Sequence, residues 1–493
     1  MSYLCLDIGT SGCKAAVVNP PGETERSAER AYDLHFPEKG FVELDATEIW
    51  ESVKSVLKEL SGDSGEVTHI AVSGFGEAFV LLDREDRPLN RMIMYADSRC
   101  VGMDAELMRD FGGENMFEIT GVFPNATYSL LRILWLKEHE RRTFEAARSI
   151  FFAVDYFSYL LCGERGVDPG TASKTLLYDV HKKVWSDTIL SRYHLPRELF
   201  SPVLPVGSIL GTIRHGLAEE LGLPPSLRIC LGNHDQGCVT LGSGGVRPGT
   251  AVLGEGSTES MNLVCGGDCF KFSDKLIERK LCFEPYILPD TFFLPTVNLT
   301  YGNSLRWFLR ELGDRAEKSK KEGENIYRFL EESRKEPTEL ICLPHLGGTS
   351  ILEPDAQIPG AIVGLNLNTS YPEIYRALMQ GLNFETRINF EILLDMGFTV
   401  REIIAAGGVA RNHLFMQNKS DILNHRIRVI KNFNAGLSGL AMICAVSEGE
   451  YRDYEEAAER FVGDARDYSP KENYDDLFDA YLDARNRLKK RLW

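Results

Sequence analysis

Apolar runs separated by short polar turns open the chain and predict paired β-strands. Strand candidates at residues 3–6 and 15–18 flank a polar loop at residues 7–14. A turn of asparagine, proline and glycine at residues 19–22 leads towards a third strand near residues 30–35.

An amphipathic helix is predicted next. Asp45-Ala46-Thr47-Glu48 matches a capping box, in which Asp45 accepts from an amide of the first turn while Glu48 reaches back. The apolar residues that follow recur at helical spacing, namely Ile49, Trp50, Val53, Val56, Leu57 and Leu60. A strand at residues 67–72 then ends in the polar segment Ser73-Gly74-Phe75-Gly76-Glu77. The predicted order is three strands, a helix and a strand.

The second half repeats this order loosely. Strand candidates flank the tight loop at residues 254–258, and a long helix is predicted over residues 372–396. A strand at residues 402–406 then runs into the glycine turn at residues 407–412, with a helix beginning near Asn412. Free amides at such a strand–turn–helix junction commonly bind phosphates; a plain structural turn is the alternative at Gly407-Gly408.

The length and charge narrow the class of protein. A chain of 493 residues exceeds what one core usually serves, so at least two domains are expected. The glycine-rich segment 242–250 is the predicted boundary, which gives domains at 1–244 and 245–493. The net charge of −17 disfavours nucleic-acid or anionic-membrane binding. No apolar run approaches the roughly 20 residues of a membrane span, and no secretory signal is visible, so a cytoplasmic location is expected.

A carboxylate beside two similar loops supplies the candidate chemistry. Asp235 lies in the polar turn 232–237, shortly before the Gly-Ser/Thr loop 254–258, and the loop 7–14 echoes that second loop. Such a pattern is typical of two halves facing one phosphate-bearing ligand, with a base near it. The alternatives are a helix-capping role for Asp235 and a plain hairpin turn at residues 9–11. Asp7 within an apolar strand argues against that plain turn, because a buried charge needs a partner.

Taken together, these segments resemble the FGGY carbohydrate kinases, of the xylulokinase and glycerol kinase type, within the sugar kinase, actin and Hsp70 superfamily. The matching segments are Asp7-Ile8-Gly9-Thr10-Ser11 for the first phosphate motif, Gly256-Ser257-Thr258 for the second, and Gly407-Gly408-Val409-Ala410-Arg411-Asn412 for the adenosine motif. Residues 127–135 approximate the first family signature, with Arg132 where lysine is usual, and residues 360–380 fit the second.

The resemblance implies an α/β fold of two ribonuclease-H-like (actin-like ATPase) domains flanking a central cleft, with ATP and Mg²⁺ as cofactors. It implies that Asp235 is the catalytic base and that Asp7 lies on the Mg²⁺ side of the ATP phosphates. The residues expected to bind ATP are Gly9, Thr10, Ser11, Lys14, Gly256, Ser257, Thr258, Gly407, Gly408, Ala410, Arg411 and Asn412. Those expected to bind the sugar are Glu77, Asp97, Asp235 and Gln236. Two alternatives stay open: Lys14 as a solvated strand residue, and Asp97 in a structural ion pair with Arg99.

The expected activity is ATP-dependent phosphorylation of a hydroxyl on a small sugar or polyol, with a pentulose or polyol favoured. Family members acting on xylulose carry Met-His where this chain has Gly76-Glu77, and glycerol kinases carry Arg-Glu there. Neither xylulose nor glycerol is therefore assigned to this chain as its substrate. An inactive nucleotide and sugar sensor and a nucleotide-driven chaperone are the rivals. A P-loop kinase is excluded because the chain has no GxxxxGK[ST]. The sequence leaves open whether the protein assembles as a homodimer.

Overall fold

The computed structural model describes residues 2–20, 22–63, 67–312, 330, 336–350, 358–432 and 434–491. The chain divides into two compact units. The first contains Met1–Val246, Gly266–Phe293 and Asn434–Gly463, and the second contains Arg247–Cys265, Leu294–Phe433 and Asp464–Trp493. Both units are therefore assembled from segments that are not continuous in sequence, whereas the predicted domains are continuous halves.

The strands are β1 (Ser2–Ile8), β2 (Gly12–Asn19), β3 (Glu23–Ala31), β4 (Glu43–Leu44), β5 (Val67–Gly74), β6 (Phe79–Leu82), β7 (Met92–Ile93), β8 (Ser149–Phe152), β9 (Tyr178–Asp179), β10 (Val184–Trp185), β11 (Ile209–Thr212), β12 (Arg228–Cys230), β13 (Thr250–Glu255), β14 (Glu259–Gly266), β15 (Glu284–Pro285), β16 (Thr291–Asn298), β17 (Ile341–Leu343), β18 (Ala361–Val363), β19 (Glu402–Ala406), β20 (Ile427–Ile430) and β21 (Ala465–Tyr468).

The α-helices are α1 (Ala46–Leu60), α2 (Met103–Asp110), α3 (Gly113–Thr120), α4 (Ser129–His139), α5 (Arg141–Ala146), α6 (Ala153–Cys162), α7 (Pro169–Ser173), α8 (Asp187–Arg192), α9 (His215–Leu221), α10 (Asp235–Gly242), α11 (Ser273–Arg279), α12 (Gly302–Leu312), α13 (Tyr371–Asp395), α14 (His413–Leu423), α15 (Ala435–Glu448), α16 (Tyr454–Phe461) and α17 (Asp475–Arg491).

The first unit is built on a mixed sheet in the order β11-β12-β5-β1-β2-β3. Strands β1, β2 and β3 pair antiparallel in chain order, and β5 and β12 add parallel to β1. Helix α1 covers one face of this sheet with the apolar stripe that the helical spacing predicts, including Ile49, Val53 and Leu57. Because parallel strands end at the same edge of a sheet, the segments that follow β1 and β5 lie side by side.

The second unit repeats this topology. Its sheet runs β16-β14-β13-β19-β20-β21, with β13 and β14 antiparallel and with β19 and β20 added parallel to β13. The turn after β13 and the turn after β19 therefore share one edge, as the turns after β1 and β5 do in the first unit. The duplication predicted from the strand and helix order is confirmed.

Most local predictions are confirmed, with two corrections. The third strand lies at Glu23–Ala31, ahead of the predicted residues 30–35. Asp45 accepts from the amides of Thr47 and Glu48, but the Glu48 carboxylate lies 3.1 Å from His35 Nε2, so only half of the predicted capping box forms. The turn into β3 is closed by the Gly22 amide on the Asn19 carbonyl, while Pro21 lies outside the described residues.

Within the part of the chain that the structure describes, no helix has the length and hydropathy needed to cross a membrane.

Candidate active site

Asp7 lies where β1 ends, at the edge of the first unit's sheet. Its register partners are Lys14 on β2 and Ser73 on β5. The Ser73 hydroxyl donates to Asp7 Oδ1 at 2.6 Å. Burial raises the pKa of Asp7, while the Ser73 hydrogen bond and the Lys14 charge act in the opposite direction. The Asp7 carboxylate is thus anchored through one of its two oxygens.

The first Gly-Ser/Thr turn is closed by its own backbone. The Gly9 amide donates to the Gly12 carbonyl at 2.9 Å, and the Tyr32 hydroxyl donates to the Gly9 carbonyl at 2.6 Å. Thr10 is half-buried and Ser11 is exposed. Lys14 donates to Asn434 Oδ1 at 2.8 Å, so its amine has a protein partner next to this turn rather than being a solvated strand residue.

Asp235 is the first residue of α10, and His234 is its N-cap. Helix α10 crosses α15 very closely: a Cβ on Gly242 would lie 1.8 Å from the Ala435 carbonyl oxygen, and one on Gly439 would lie 2.1 Å from the Cys238 carbonyl oxygen. Glycine at both positions lets the two helices touch through their backbones. This packing fixes the helix that presents Asp235.

The surroundings of the Asp235 carboxylate raise its pKa. Burial, together with the charges of Asp7 and Glu77, raises its pKa to about 7, and the charge of Lys174 acts in the opposite direction. Its side chain nevertheless keeps 35% of its exposure, so a substrate can reach it. His234 Nε2 lies 3.3 Å from Asp235 Oδ1, and because burial lowers the pKa of His234 well below its usual value, that imidazole is neutral near pH 7.

Glu77 follows β5 and is fixed through its backbone. Its carbonyl accepts from the Ser129 hydroxyl at 2.7 Å and from Arg132 Nη2 at 2.9 Å. Arg132 also donates to the carbonyls of Ala126 at 3.0 Å and Thr127 at 2.6 Å, and its side chain is fully buried. The arginine that replaces the usual lysine of the first signature therefore positions Glu77.

A buried cation sits beside the Glu77 carboxylate. Lys174 Nζ donates to Glu284 Oε1 at 2.7 Å and lies 3.8 Å from Glu77 Oε1. Burial alone would lower the pKa of Lys174, but the charges of Glu284 and Glu77 raise it above its usual value. Tyr95 completes the group: burial raises its pKa, and the charges of Glu77 and Asp235 raise it further.

Gly76 allows this arrangement. A Cβ at that position would lie 2.6 Å from Lys174 Cγ and 2.8 Å from His234 Cδ2. The Lys174 stem and the His234 ring thus occupy the space that a side chain at position 76 would need. A bridge between Gly74 and His234 brings the two segments together at the end of β5.

Asp97 is engaged by the protein. It accepts from the Val42 amide at 2.7 Å and from Arg99 Nε and Nη2, both at 2.8 Å. Arg99 also donates to Glu43 and stacks 4.1 Å from the centre of the Phe41 ring. With 0% of its side chain exposed, Asp97 fits the structural ion pair better than a sugar contact.

Gln236, the second residue of α10, is half-buried.

In the second unit, the turn at residues 256–258 is held by the start of α12. The Ser257 carbonyl accepts from the amides of Tyr301 at 3.3 Å and Asn303 at 3.1 Å. A Cβ on Gly302 would lie 2.3 Å from the Gly256 carbonyl oxygen, so only glycine permits this approach. Arg306, one turn along α12, donates to Ser257 Oγ at 2.6 Å and places a cation at this turn.

A fully buried ion triad lies under the same turn. Lys419 on α14 donates to Glu255 Oε1 at 2.6 Å and to Glu259 Oε1. Its ammonium also lies 4.7 Å from the centre of the Tyr301 ring. Glu255 and Glu259 end β13 and begin β14, so the triad joins the strands on both sides of the turn to α14.

The glycine turn after β19 meets the same strand end. Gly407 has φ of +121°, and a Cβ on it would lie 2.5 Å from the Glu255 carbonyl oxygen. A 3₁₀ turn at Val409–Arg411 follows, with Ala410 buried and Arg411 exposed. The Asn412 side chain accepts from the Phe415 amide at 2.7 Å and caps α14, which begins next to Asn412 as predicted. No atom of the described residues lies within 4 Å of the Cβ position of Gly408, which leaves room above the turn.

The predicted residues form two groups, one in each unit. The first unit brings together Asp7, Glu77 and Asp235, and the second brings the turn at residues 256–258 next to Gly407. Sequence reasoning did not single out Tyr95, Lys174, Glu284, Arg306 and Lys419, which the structure places beside these residues. No cluster of three or more His, Cys, Asp or Glu that could hold a metal ion occurs among the described residues.

Comparison with known proteins decides the family. The model of the FGGY family of carbohydrate kinases, N-terminal domain, matches residues 2–242, and that of the C-terminal domain matches residues 263–448. The chain belongs to the FGGY family of carbohydrate kinases. It is a carbohydrate kinase with the actin-like ATPase fold, which confirms the expected fold class and activity class.

The relatives include two kinds of kinase. A xylulose kinase of Staphylococcus xylosus is 25% identical over 504 residues, covering 98% of this chain and 99% of the relative. A glycerol kinase of Bordetella parapertussis is 28% identical over 461 residues, covering 89% of this chain and 87% of the relative. The crystal structure of xylulose kinase from Rhodospirillum rubrum matches with a TM-score of 0.88 at 25% identity, covering 99% of each chain. The alternative that the chain is an inactive nucleotide and sugar sensor has no support among these relatives.

Proposed function

We propose that this kinase transfers the γ-phosphoryl group of ATP to a hydroxyl of a small neutral sugar or polyol, with a pentulose as the first candidate. Asp235 carries the proposal. It is a half-exposed carboxylate at the start of a rigidly packed helix, with a pKa of about 7 and with Asp7 and Glu77 nearby. General-base catalysis is most efficient when the pKa of the base lies near the working pH.

Proton removal from the sugar is the role of Asp235. The attacking hydroxyl loses its proton as its bond to phosphorus forms, and an ionised carboxylate within hydrogen-bond reach accepts it. The neutral His234 ring, 3.3 Å from Asp235 Oδ1, restricts the orientation of the carboxylate without neutralising it.

The nucleotide is assigned to the glycine turns. Amides of Gly9 to Ser11 in the first unit and of Gly256 to Thr258 in the second would donate to phosphate oxygens, since such turns present free N–H groups. Arg306 adds a cation at the second turn. The open space above Gly408 supports adenosine binding by residues 407–412.

Asp7 is assigned to Mg²⁺. A single anchored carboxylate fits this ion, which usually keeps several waters and binds through one or two carboxylates and substrate phosphates. When bound, Mg²⁺ neutralises charge on the phosphates. The Ser73 hydrogen bond holds one oxygen of Asp7 and leaves the other for the metal side.

Sugar recognition is assigned to Glu77 and Lys174. The 3.8 Å between Lys174 Nζ and Glu77 Oε1 is too long for a hydrogen bond, and one hydroxyl can accept from the lysine while donating to the glutamate. Asp7, Glu77, Asp235 and Glu284 outnumber the lysines at this edge, which disfavours an acidic sugar. A neutral polyhydroxy compound is the class that fits.

An ADP-release screen over glycerol, tetritols, pentitols, pentuloses and hexuloses tests the proposal. We expect turnover on at least one neutral substrate and its loss in Asp235→Asn. Sugar binding without ADP release above the rate of ATP hydrolysis would instead indicate a sensor. Equal turnover in wild type and Asp235→Asn would place the base elsewhere.

A further inference from the structure

A basic surface pocket lies in the second unit, away from its glycine turns. It has a volume of about 380 Å³ and is lined by Arg247, Pro248, Thr250, Arg401, Glu402, Ile403, His425, Arg426 and Arg428. Four arginines and one glutamate line it, and even with the neighbouring Asp467 counted the positive charges outnumber the negative ones, in a chain whose net charge is −17. Gathering like charges costs energy unless an anion offsets it.

The strand order places this pocket opposite the phosphate turns. Thr250, Glu402 and the segment 425–428 lie at the beginnings of β13, β19 and β20, which are parallel neighbours. The glycine turns at residues 256–258 and 407–408 follow the ends of β13 and β19. A strand of six residues spans about 20 Å, so the pocket is separate from the assigned nucleotide site.

The arginines are held in position by the protein. Arg428 donates to Glu402 at 2.9 Å and to Asp467 at 3.4 Å, and Arg426 donates to the other oxygen of Asp467 at 2.5 Å. The Arg401 stem packs on Gly249, where a Cβ would lie 3.0 Å from Arg401 Cγ. Among the described residues, Arg401 has no carboxylate partner, so its guanidinium is available to a ligand.

We propose that this arginine pocket binds a small phosphorylated anion. Guanidinium groups bind phosphate through paired N–H donors, and Arg401 and Arg426 are both exposed. The volume accommodates a phosphate group with a small organic part. If the proposed function holds, the kinase's own sugar phosphate product belongs to this class, and the pocket would sense it.

Site-resolved labelling tests the proposal. Phenylglyoxal modifies exposed arginines, and peptide mass spectrometry measures the rate at Arg401 and Arg426 separately from the nucleotide site. Inorganic phosphate at about four times its Kd should slow both rates about fivefold by occupancy. Arg142, exposed on α5 of the first unit, is the control and should keep its rate. Potassium chloride of equal ionic strength should give no protection.

The Arg401→Gln variant tests whether the protection by phosphate arises in the arginine pocket. Arg401→Gln should remove the protection of Arg426 by phosphate, whereas Arg142→Gln should leave it unchanged. Protection of less than twofold, equal protection by potassium chloride, or equal protection by the unphosphorylated sugar would each overturn the proposal. The phosphate measurement needs no turnover, so a failure of the proposed kinase reaction would not affect it.

Discussion

Lys419 Nζ lies 2.6 Å from Glu255 Oε1, with no exposed surface on either side chain. This ion pair ties α14, which follows the glycine turn at residues 407–412, to β13, which leads into the turn at residues 256–258. Burial alone would lower the pKa of Lys419, but Glu255 and Glu259 raise it above its usual value, so the lysine stays charged.

Lys419→Met should destabilise the protein strongly, because it leaves two carboxylates buried without their cation. Breaking a buried ion pair typically costs about 3–5 kcal/mol. Urea unfolding followed by circular dichroism measures the change. Lys431→Met is the matched control, since its pair with Asp464 is exposed and such pairs contribute about 0–1 kcal/mol. Similar losses in both variants would contradict the role of the triad.

Asp235→Asn should lower kcat about 10²–10⁴-fold, since the amide cannot accept the hydroxyl proton. Nucleotide affinity should hold or tighten, because a negative charge near the phosphates is removed. Steady-state kinetics and calorimetry with ATP separate the two effects. Near-normal kcat with intact ATP binding would exclude Asp235 as the base.

The pH profile should report the charges around Asp235. Because the base must be ionised and its pKa is about 7, kcat should fall as the pH drops below about 7. Lys174 lowers this pKa and Glu77 raises it. Lys174→Met should therefore move the acidic limb to higher pH, and Glu77→Gln should move it to lower pH. If the acidic limb moved in the same direction in Lys174→Met and in Glu77→Gln, this electrostatic arrangement would be contradicted.

Gly76→Ala should impair sugar use, because the added methyl group would displace Lys174 or His234. We expect KM for the sugar to rise about tenfold, as for the loss of one hydrogen bond of about 1.5 kcal/mol to a charged group, while KM for ATP stays constant. Gly216→Ala is the control, since in the part of the chain that the structure describes no atom lies within 4 Å of its Cβ position. An unchanged KM in Gly76→Ala would show that Lys174 and His234 can move aside freely.

Asp7→Asn should raise the Mg²⁺ concentration needed for half-maximal rate, since the variant loses an anionic oxygen ligand. Asp235→Asn should leave that concentration nearly unchanged. Activity measured over a Mg²⁺ titration at fixed ATP compares the two variants. An unaltered Mg²⁺ requirement in Asp7→Asn would remove this residue from the metal side.

Local physics explains why much of this protein could be predicted from its sequence. The strand–turn–strand at Asp7, the stripe of α1 and the start of α14 near Asn412 each depend on residues a few positions apart, whose periodicity and turn chemistry are visible in the chain. Because these elements recur in the same order, the duplicated fold was also visible. The roles of Asp235, Asp7 and the glycine turns remain predictions.

Only the tertiary structure decided which distant side chains share one environment. Lys174 meets Glu284 from 110 positions away, and Lys419 meets Glu255 from 164. Asp97 looked as suited to a sugar as to Arg99 until the fold placed Val42 and Arg99 on both of its oxygens. Local patterns specify where a strand ends and what its turn offers, whereas the partners of a buried charge depend on long-range packing that no short segment contains.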